Sequence, residues 1–133
     1  MDKEKMLALA DFIEKVPDDK FHMGFFGKPA NYESRRVVCK EDLNVCGTAC
    51  CIAGYVVVNK GYCVTPGGFV YDDIDESDYI GQAETLAARE LRLDSDQATA
   101  LFFDRNWPYQ FKEDANNPKV AAQRIRHMVE TGE

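Results

Sequence analysis

The sequence predicts a mainly α-helical domain of the α+β class, with about four to five helices around a buried central helix and one small β-hairpin. Three observations lead to this prediction. Apolar residues recur at three- and four-residue steps in the first 16 residues and through most of the C-terminal half. One segment, 48–60, is apolar on nearly all sides. A Pro-Gly-Gly turn separates two short β-forming runs. With 133 residues, the chain has the length of a single domain, 1–133.

The N-terminal half contains the first helix and the central helix. Asp2–Val16 has an apolar face of helical period, and Pro17 ends it. Thr48–Lys60 is predicted to be the buried central helix, with Thr48 as its N-terminal cap and Gly61 closing it. Between these helices the chain is predicted to be irregular, with two short strands as the alternative, Phe21–Phe26 and Arg36–Cys39.

The C-terminal half is predicted to be a hairpin followed by helices. Tyr62–Thr65 and Phe69–Tyr71 form the hairpin, and Ile80–Leu91 forms the next helix. A short helix follows, with Asp94 as its cap and Gln97 three residues later, which is close to a capping box. The last helix is bounded by Asn117 as cap, Pro118 in its first turn and Gly132 at its end.

Acidic residues are concentrated in one segment of a chain whose formal net charge is −7. Residues 72–84 contain six acidic residues and no Lys or Arg. Clustered basic residues, which phosphate contacts need, are missing, so we expect no nucleic-acid binding. A protein partner with a basic surface would suit the acidic segment, although a solvated loop is the simpler interpretation. The predicted partner-binding residues are Asp72, Asp73, Asp75, Glu76 and Asp78.

The N-terminal segment and the cysteine content bear on the compartment. Acidic and basic residues alternate in the first 15 residues, which is unlike a secretory signal peptide. No apolar run approaches the roughly 20 residues that a membrane helix needs, so we expect no membrane association. A cytoplasmic location is the resulting expectation. There, all five cysteines should be reduced.

One cysteine motif offers a candidate site. If the central helix begins at Thr48, Cys46 lies just before its N-terminus, where unpaired amides stabilise a negative charge. The segment Cys46, Gly47, Thr48 and Ala49 is therefore predicted to bind a small anionic, nucleotide-like ligand. The same position would favour a catalytic thiolate. A third interpretation is that the cysteines of this motif are small core residues.

A catalytic thiol requires a base, and His22 is the candidate for Cys46. Asp42 or Glu41 would be the orienting acid. The spacing of Cys46, Gly47 and Cys51 distantly resembles the nucleophile segment of ubiquitin-like-protein proteases over six residues, with Ala49 replacing the usual aromatic residue. A cysteine-dependent hydrolase using Cys46 with His22 is therefore the alternative function.

Residue spacing gives little support to a metal site. The candidate zinc ligands lack the close Cys-x-x-Cys spacing of strong zinc sites. They are Cys39, Cys46, Cys50, Cys63 and His22. Residues 73–84 follow the ligand spacing of a calcium loop, but Asp78 stands where that loop requires glycine. We therefore predict no metal and no cofactor, and a small metal-stabilised structural module is the second alternative.

Several short motifs together resemble a family of small uncharacterised proteins encoded in bacteriophage and bacterial genomes. The motifs are Phe21-x-Met23-Gly24, Cys46-Gly47-Thr48-x-x-Cys51-Ile52-Ala53-Gly54, Leu91-x-Leu93-x-x-x-Gln97-Ala98, Leu101-Phe102, Trp107-Pro108 and Ala121-Ala122-x-Arg124-Ile125. The resemblance implies a phage or prophage accessory protein that acts in the bacterial cytosol. The predicted function is accordingly a non-enzymatic binding protein that acts on a host or defence protein, or on a small anionic ligand.

Overall fold

The helices carry most of the fold, and their ends follow local sequence signals. The computed structural model describes residues 1–133 and has six α-helices: α1, Lys3–Glu14; α2, Ile52–Asn59; α3, Ala83–Leu91; α4, Ser95–Phe102; α5, Tyr109–Lys112; α6, Pro118–Thr131. Asp2, Asp94 and Asn117 cap α1, α4 and α6 through side-chain hydrogen bonds, as such residues do at helix starts. Gly132 ends α6 in a left-handed conformation.

Two small antiparallel sheets complete the α+β domain. The first pairs β1, Gly27–Lys28, with β2, Ala49–Cys50. The second has the order β3, Cys63–Val64; β4, Phe69–Tyr71; β5, Tyr79–Gln82. Val38 adds an isolated antiparallel bridge to Val64, at the β3 edge of this sheet. β5 forms the opposite edge.

The central helix begins later than the sequence predicted. Thr48 does not cap it, because α2 starts at Ile52 with Cys51 as its N-cap. Ala49 and Cys50 instead pair with Lys28 and Gly27 as a strand. A short apolar run suits a buried strand as well as a buried helix, so its hydrophobicity does not locate the boundary. The prediction that this helix is central is confirmed, since every residue from Ile52 to Val58 is buried.

Two further boundaries differ from the prediction. The helix predicted from Ile80 begins at Ala83, because residues 79–82 form β5 and extend the predicted hairpin to three strands. Gly81, with φ 154°, lies in a conformation that a helix does not use. The predicted strand Phe21–Phe26 is reduced to a single bridge from Phe21 to Cys50. The four-residue α5 was not predicted.

One large core holds these elements together. It contains 31 buried residues, and the helix pairs α1–α6 and α2–α3 pack most extensively. The main chain of α2 lies so close to Phe26 that a methyl group on Gly54 would overlap the Phe26 carbonyl oxygen. A second cluster of three buried residues, Val37, Cys39 and Cys63, lies on the other side of the second sheet.

The C-terminal end of α4 is capped by side chains. Trp107 Nε1 donates a hydrogen bond of 2.8 Å to the Leu101 carbonyl, and the fully buried Arg124 donates one of 3.3 Å to the Ala100 carbonyl. A guanidinium at this end of a helix is favoured by the helix dipole. Burial lowers the pKa of Arg124.

No helix in the structure combines the length and the apolar composition required to cross a bilayer.

Candidate functional site

The predicted ligand segment does not lie at a helix N-terminus. Cys46 is exposed, six residues before the first residue of α2. The Thr48 amide already donates a hydrogen bond of 3.2 Å to the Val45 carbonyl, and Ala49 is paired with Lys28. The premise that Cys46, Gly47, Thr48 and Ala49 surround unpaired helix amides is therefore wrong.

The cavity beside this segment is small and its charge is balanced. It has a volume of about 170 Å³, below the roughly 300 Å³ at which small-molecule sites usually begin. Its lining includes Thr48 together with Arg35 and Asp42. Those two side chains form an ion pair of 2.6 Å, so the guanidinium charge is already matched by a carboxylate.

The proposed base and its orienting acids make other contacts. His22 Nδ1 accepts a hydrogen bond of 2.8 Å from the Gly24 amide, and no hydrogen bond joins His22 to Cys46. The Asp42 carboxylate binds Arg35 and the Cys39 amide. Glu41 lies 3.6 Å from the same Arg35 guanidinium. The structure therefore does not assemble a thiol, a base and an acid from the predicted residues.

The cysteine that does lie at the start of α2 is a core residue. Cys51 is 1 % exposed, and burial raises its pKa to about 11, against the smaller opposing effect of the Gly54 and Ala53 amides. The neighbouring Cys50 is fully buried, and burial raises its pKa as well. Burial outweighs the helix amides here, so both thiols stay protonated near neutral pH.

Two of the five cysteines are not reduced in the structure. Cys39 and Cys63 form a disulfide bond, whereas Cys46, Cys50 and Cys51 are free. The prediction of five reduced cysteines is therefore wrong for this pair. The bond also occupies two of the candidate zinc ligands. No group of three or more His, Cys, Asp or Glu side chains is placed to hold a metal ion.

The acidic segment forms a loop between β4 and β5, and two of its carboxylates hold the loop together. Asp73 accepts hydrogen bonds from the Asp75 amide and from the amide and hydroxyl of Ser77. Asp72 accepts one of 2.9 Å from the Asp78 amide. The carboxylates of the remaining three predicted partner-binding residues, Asp75, Glu76 and Asp78, have no hydrogen-bond or ion-pair partner.

Beside this loop the second sheet presents aromatic side chains to solvent. Phe69 and Tyr71 lie on one side of β4, and Tyr79 lies opposite Tyr71 on β5. The ring of Tyr79 lies 6.2 Å from that of Phe69 and 5.7 Å from that of Tyr71. Phe69 is 47 % exposed and Tyr79 is 55 % exposed. We call Phe69, Tyr71 and Tyr79 the outer aromatic face.

The rest of that side of the sheet is covered. Cys63 lies opposite Tyr71 on β3 and therefore faces the same way. The disulfide bond links Cys63 to Cys39. Together with Val37, these two cysteines form a buried cluster against which Tyr71 packs. The outer aromatic face is thus the uncovered continuation of a small buried cluster. The loop that holds the three free carboxylates connects β4 to β5, the two strands that bear these rings.

Sequence reasoning missed this aromatic contribution although a signal was present. Phe69 and Tyr71 lie two residues apart in a predicted strand, and this spacing places them on one side. Tyr79 directly follows the acidic residues. The sequence alone left open which side of the strand packs on the core.

No model of a known protein family, no curated protein and no solved structure matches the chain.

Proposed function

We propose that the protein is a non-enzymatic binding protein whose outer aromatic face and acidic loop together engage a partner protein with a basic surface. One observation carries the proposal: three clustered aromatic rings, two of them exposed, lie on the two strands joined by a loop in which three carboxylates have no partner within the chain. The recognition surface consists of Phe69, Tyr71 and Tyr79 with Asp75, Glu76 and Asp78.

The exposed aromatic rings argue for contact with another molecule. A cluster of large apolar side chains left in water forfeits the free energy that burial would release. Ile74, in the loop between β4 and β5, is a further exposed apolar side chain, at 41 %. Aromatic residues in rigid secondary structure also lose little conformational freedom on binding, which makes them effective interface anchors.

The charge selects the kind of partner. Three unpaired carboxylates repel phosphate groups and attract Lys and Arg side chains. The faces of Phe69, Tyr71 and Tyr79 can contribute cation–π contacts to the same basic side chains. A nucleic acid would meet repulsion at this surface, whereas a basic protein would gain both interactions.

The face of the sheet suits docking better than its free edge. The pairing of β4 with β5 has an irregularity next to Tyr71, and Gly81 departs from regular strand geometry. Irregular edges discourage the addition of another strand. A partner is therefore expected to lie on the outer aromatic face, not to extend the sheet beyond β5.

The biological setting comes from the family resemblance. Small proteins of bacteriophages and prophages commonly act in the host cytosol by binding host or defence proteins, and we assign this setting to the present chain as part of the proposal. The hydrolase and anionic-ligand alternatives receive less support, because His22 and Cys46 share no hydrogen bond and the Thr48 amide is already bonded.

An array of 15-residue peptides that differ in Lys, Arg and aliphatic content tests the proposal. Wild-type protein is expected to bind basic peptides in preference to acidic ones, with affinity falling as salt is added. Replacing Phe69 and Tyr79 by Ser should weaken binding at least about tenfold, the loss expected for anchor residues. The matched control replaces Tyr32 and Tyr109, which are exposed but isolated, by Ser.

The charge is tested separately. Asp75→Asn, Glu76→Gln and Asp78→Asn together should weaken binding and flatten its salt dependence. The control neutralises three exposed acids elsewhere by Glu33→Gln, Glu113→Gln and Glu130→Gln. Equal binding by both triple variants, or no preference of the wild type for basic peptides, would overturn the proposal.

A further inference from the structure

The Cys39–Cys63 disulfide lies where it can control the recognition surface. Neither cysteine belongs to the large core. Both belong to the small cluster with Val37, against which Tyr71 packs. Since Tyr71 is also part of the outer aromatic face, the covalent bond and the recognition surface share a side chain.

The chain around the bond alternates between two environments. Val38 and Val64 exchange two backbone hydrogen bonds, of 2.8 and 3.0 Å, and their side chains lie in the large core. Cys39 and Cys63 are their neighbours and therefore point to the opposite side. Opening the disulfide would leave the Val38–Val64 bridge on the large core, while the outer side would lose its covalent link.

We call Val37, Cys39 and Cys63, with Tyr71 packed against them, the outer layer. The burial of only three residues contributes little free energy to keep this layer ordered. Ordering each residue costs backbone conformational entropy, which the burial of a few small side chains barely offsets. A covalent link removes much of that cost by restricting the open state. We infer that the disulfide is a redox element: its oxidised form orders the outer layer, including Tyr71, and its reduction loosens that layer while the large core stays folded.

This inference rests on the proposed function in one respect, namely that a looser Tyr71 weakens partner binding. A surface that must become ordered on binding loses affinity, because the ordering cost is taken from the interaction. The oxidised protein is thus the form with higher affinity. In the cytosolic setting proposed above, where thiols are normally kept reduced, this form accumulates only under oxidising conditions.

The chemical step is thiol–disulfide exchange with a dithiol reductant. A reductant thiolate attacks one sulfur of the Cys39–Cys63 bond, and the other cysteine leaves as a thiolate and takes up a proton. The second reductant thiol then attacks the mixed disulfide and releases the first cysteine. Two electrons and two protons pass to the protein, and the reductant ends as a disulfide.

NMR of the full chain, first oxidised and then reduced with dithiothreitol, tests the inference. We expect amide exchange at Cys39 and Tyr71 to rise about tenfold or more, and the nuclear Overhauser contacts between the Tyr71 and Tyr79 rings to weaken. Exchange within Ile52–Asn59 should change less than about twofold. A Cys46→Ser background removes the exposed free thiol, so that alkylation reports the opened bond.

The control is the double variant Cys39→Ser with Cys63→Ser, which should behave like reduced protein with or without dithiothreitol. If this variant does not fold, the comparison of oxidised with reduced wild type still decides. Loss of α-helical circular dichroism on reduction, unchanged exchange at Cys39 and Tyr71, or resistance of the native bond to excess dithiothreitol would each overturn the inference.

Peptide binding forms a separate arm. The tightest basic peptide from the array should bind reduced protein several-fold more weakly than oxidised protein. If no basic peptide binds either form, the proposed function fails while the exchange data still decide the redox inference. If the peptide binds both forms equally, the link between the bond and the recognition surface is wrong.

Discussion

The two sides of the second sheet differ in how they are stabilised. On the inner side, Val64 and Val70 are completely buried in a core of 31 residues. On the outer side, Val37 and the disulfide-bonded Cys39 and Cys63 form a buried cluster of only three residues, and the rings of Phe69 and Tyr79 are exposed beyond Tyr71. The inner side gains its stability from packing, whereas the outer side depends on a covalent link and leaves apolar area uncovered.

This difference separates the residues that maintain the fold from those that are available to function. Substitutions on the inner side should cost stability, because close-packed cores do not tolerate added or removed volume. Substitutions on the outer aromatic face should spare stability and alter binding. The comparison can therefore be tested by matched changes on the two sides.

The largest loss of stability is expected for Gly54→Ala on α2. The added methyl group would overlap the Phe26 carbonyl oxygen, a backbone atom that cannot move without displacing β1. We expect the variant to lose about 5 kcal/mol or more, or to remain unfolded. The matched control is Gly67→Ala in the turn beside the outer aromatic face, where the nearest atom is 3.7 Å away and the cost should stay within about 0.5 kcal/mol. Equal urea midpoints for the two variants would contradict the close approach of α2 to Phe26.

Shortening one isoleucine in the large core and one in the loop between β4 and β5 gives the next largest difference. Ile52 is fully buried, so Ile52→Ala should cost about 2–5 kcal/mol through lost burial and the cavity left behind. Ile74 is 41 % exposed in the acidic loop, and Ile74→Ala should cost less than about 0.5 kcal/mol. Denaturant unfolding measures both. If Ile74→Ala proves as costly as Ile52→Ala, the acidic loop is part of the stabilising core.

The sequence was most informative where a residue has a strong local effect. The caps Asp94 and Asn117 and the glycine at 132 mark helix ends through their own backbone preferences, and the structure confirms them. The start of α2 was misplaced because Ala49 and Cys50 gain strand partners from residues more than 20 positions away. Such a partner cannot be seen in the local pattern.

The candidate site, like the fold, could be predicted only where the local sequence determines it. The acidic loop could be found from composition, but which of its carboxylates are free depends on hydrogen bonds such as that from the Ser77 amide to Asp73. The Cys39–Cys63 bond and the outer aromatic face both depend on the alignment of β3 with β4 and of Val38 with Val64. Sequence spacing does not determine that alignment.

The buried thiol of Cys51 allows a chemical test of the large core. Its pKa is raised from 9.0 to about 11, which lowers the thiolate fraction near neutral pH about a hundredfold. We expect iodoacetamide to leave Cys51 unmodified in folded protein near neutral pH and to modify it after unfolding. Mass spectrometry of the digested protein measures this. Fast labelling of Cys51 in the native state would contradict its place in the core.

The smallest effect is expected from the exposed ion pairs that join the helices around the large core. Arg126 on α6 contacts Asp11 and Glu14 on α1, and its hydrogen bond holds the pKa of Glu14 below the ordinary value of 4.5. A carboxylate whose pKa is lower in the folded state stabilises the fold above its unfolded pKa and loses that contribution as the pH falls through the folded value. The stabilisation of Glu14 should therefore be present at neutral pH and disappear below about pH 4.5. Because these side chains are exposed, salt should reduce it further.

Comparing Glu14→Gln with wild type in urea, from about pH 7 to about pH 3, measures this contribution directly. The difference in midpoint should be small at neutral pH, shrink with acid and shrink with salt. Glu130→Gln, which removes an exposed carboxylate of α6 without an ion-pair partner, should show no such trend. A Glu14→Gln difference that persists unchanged at the acid end would mean that the side chain acts through packing and not through its charge. The contact between α1 and α6 would then resemble the inner side of the sheet in depending on packed volume alone.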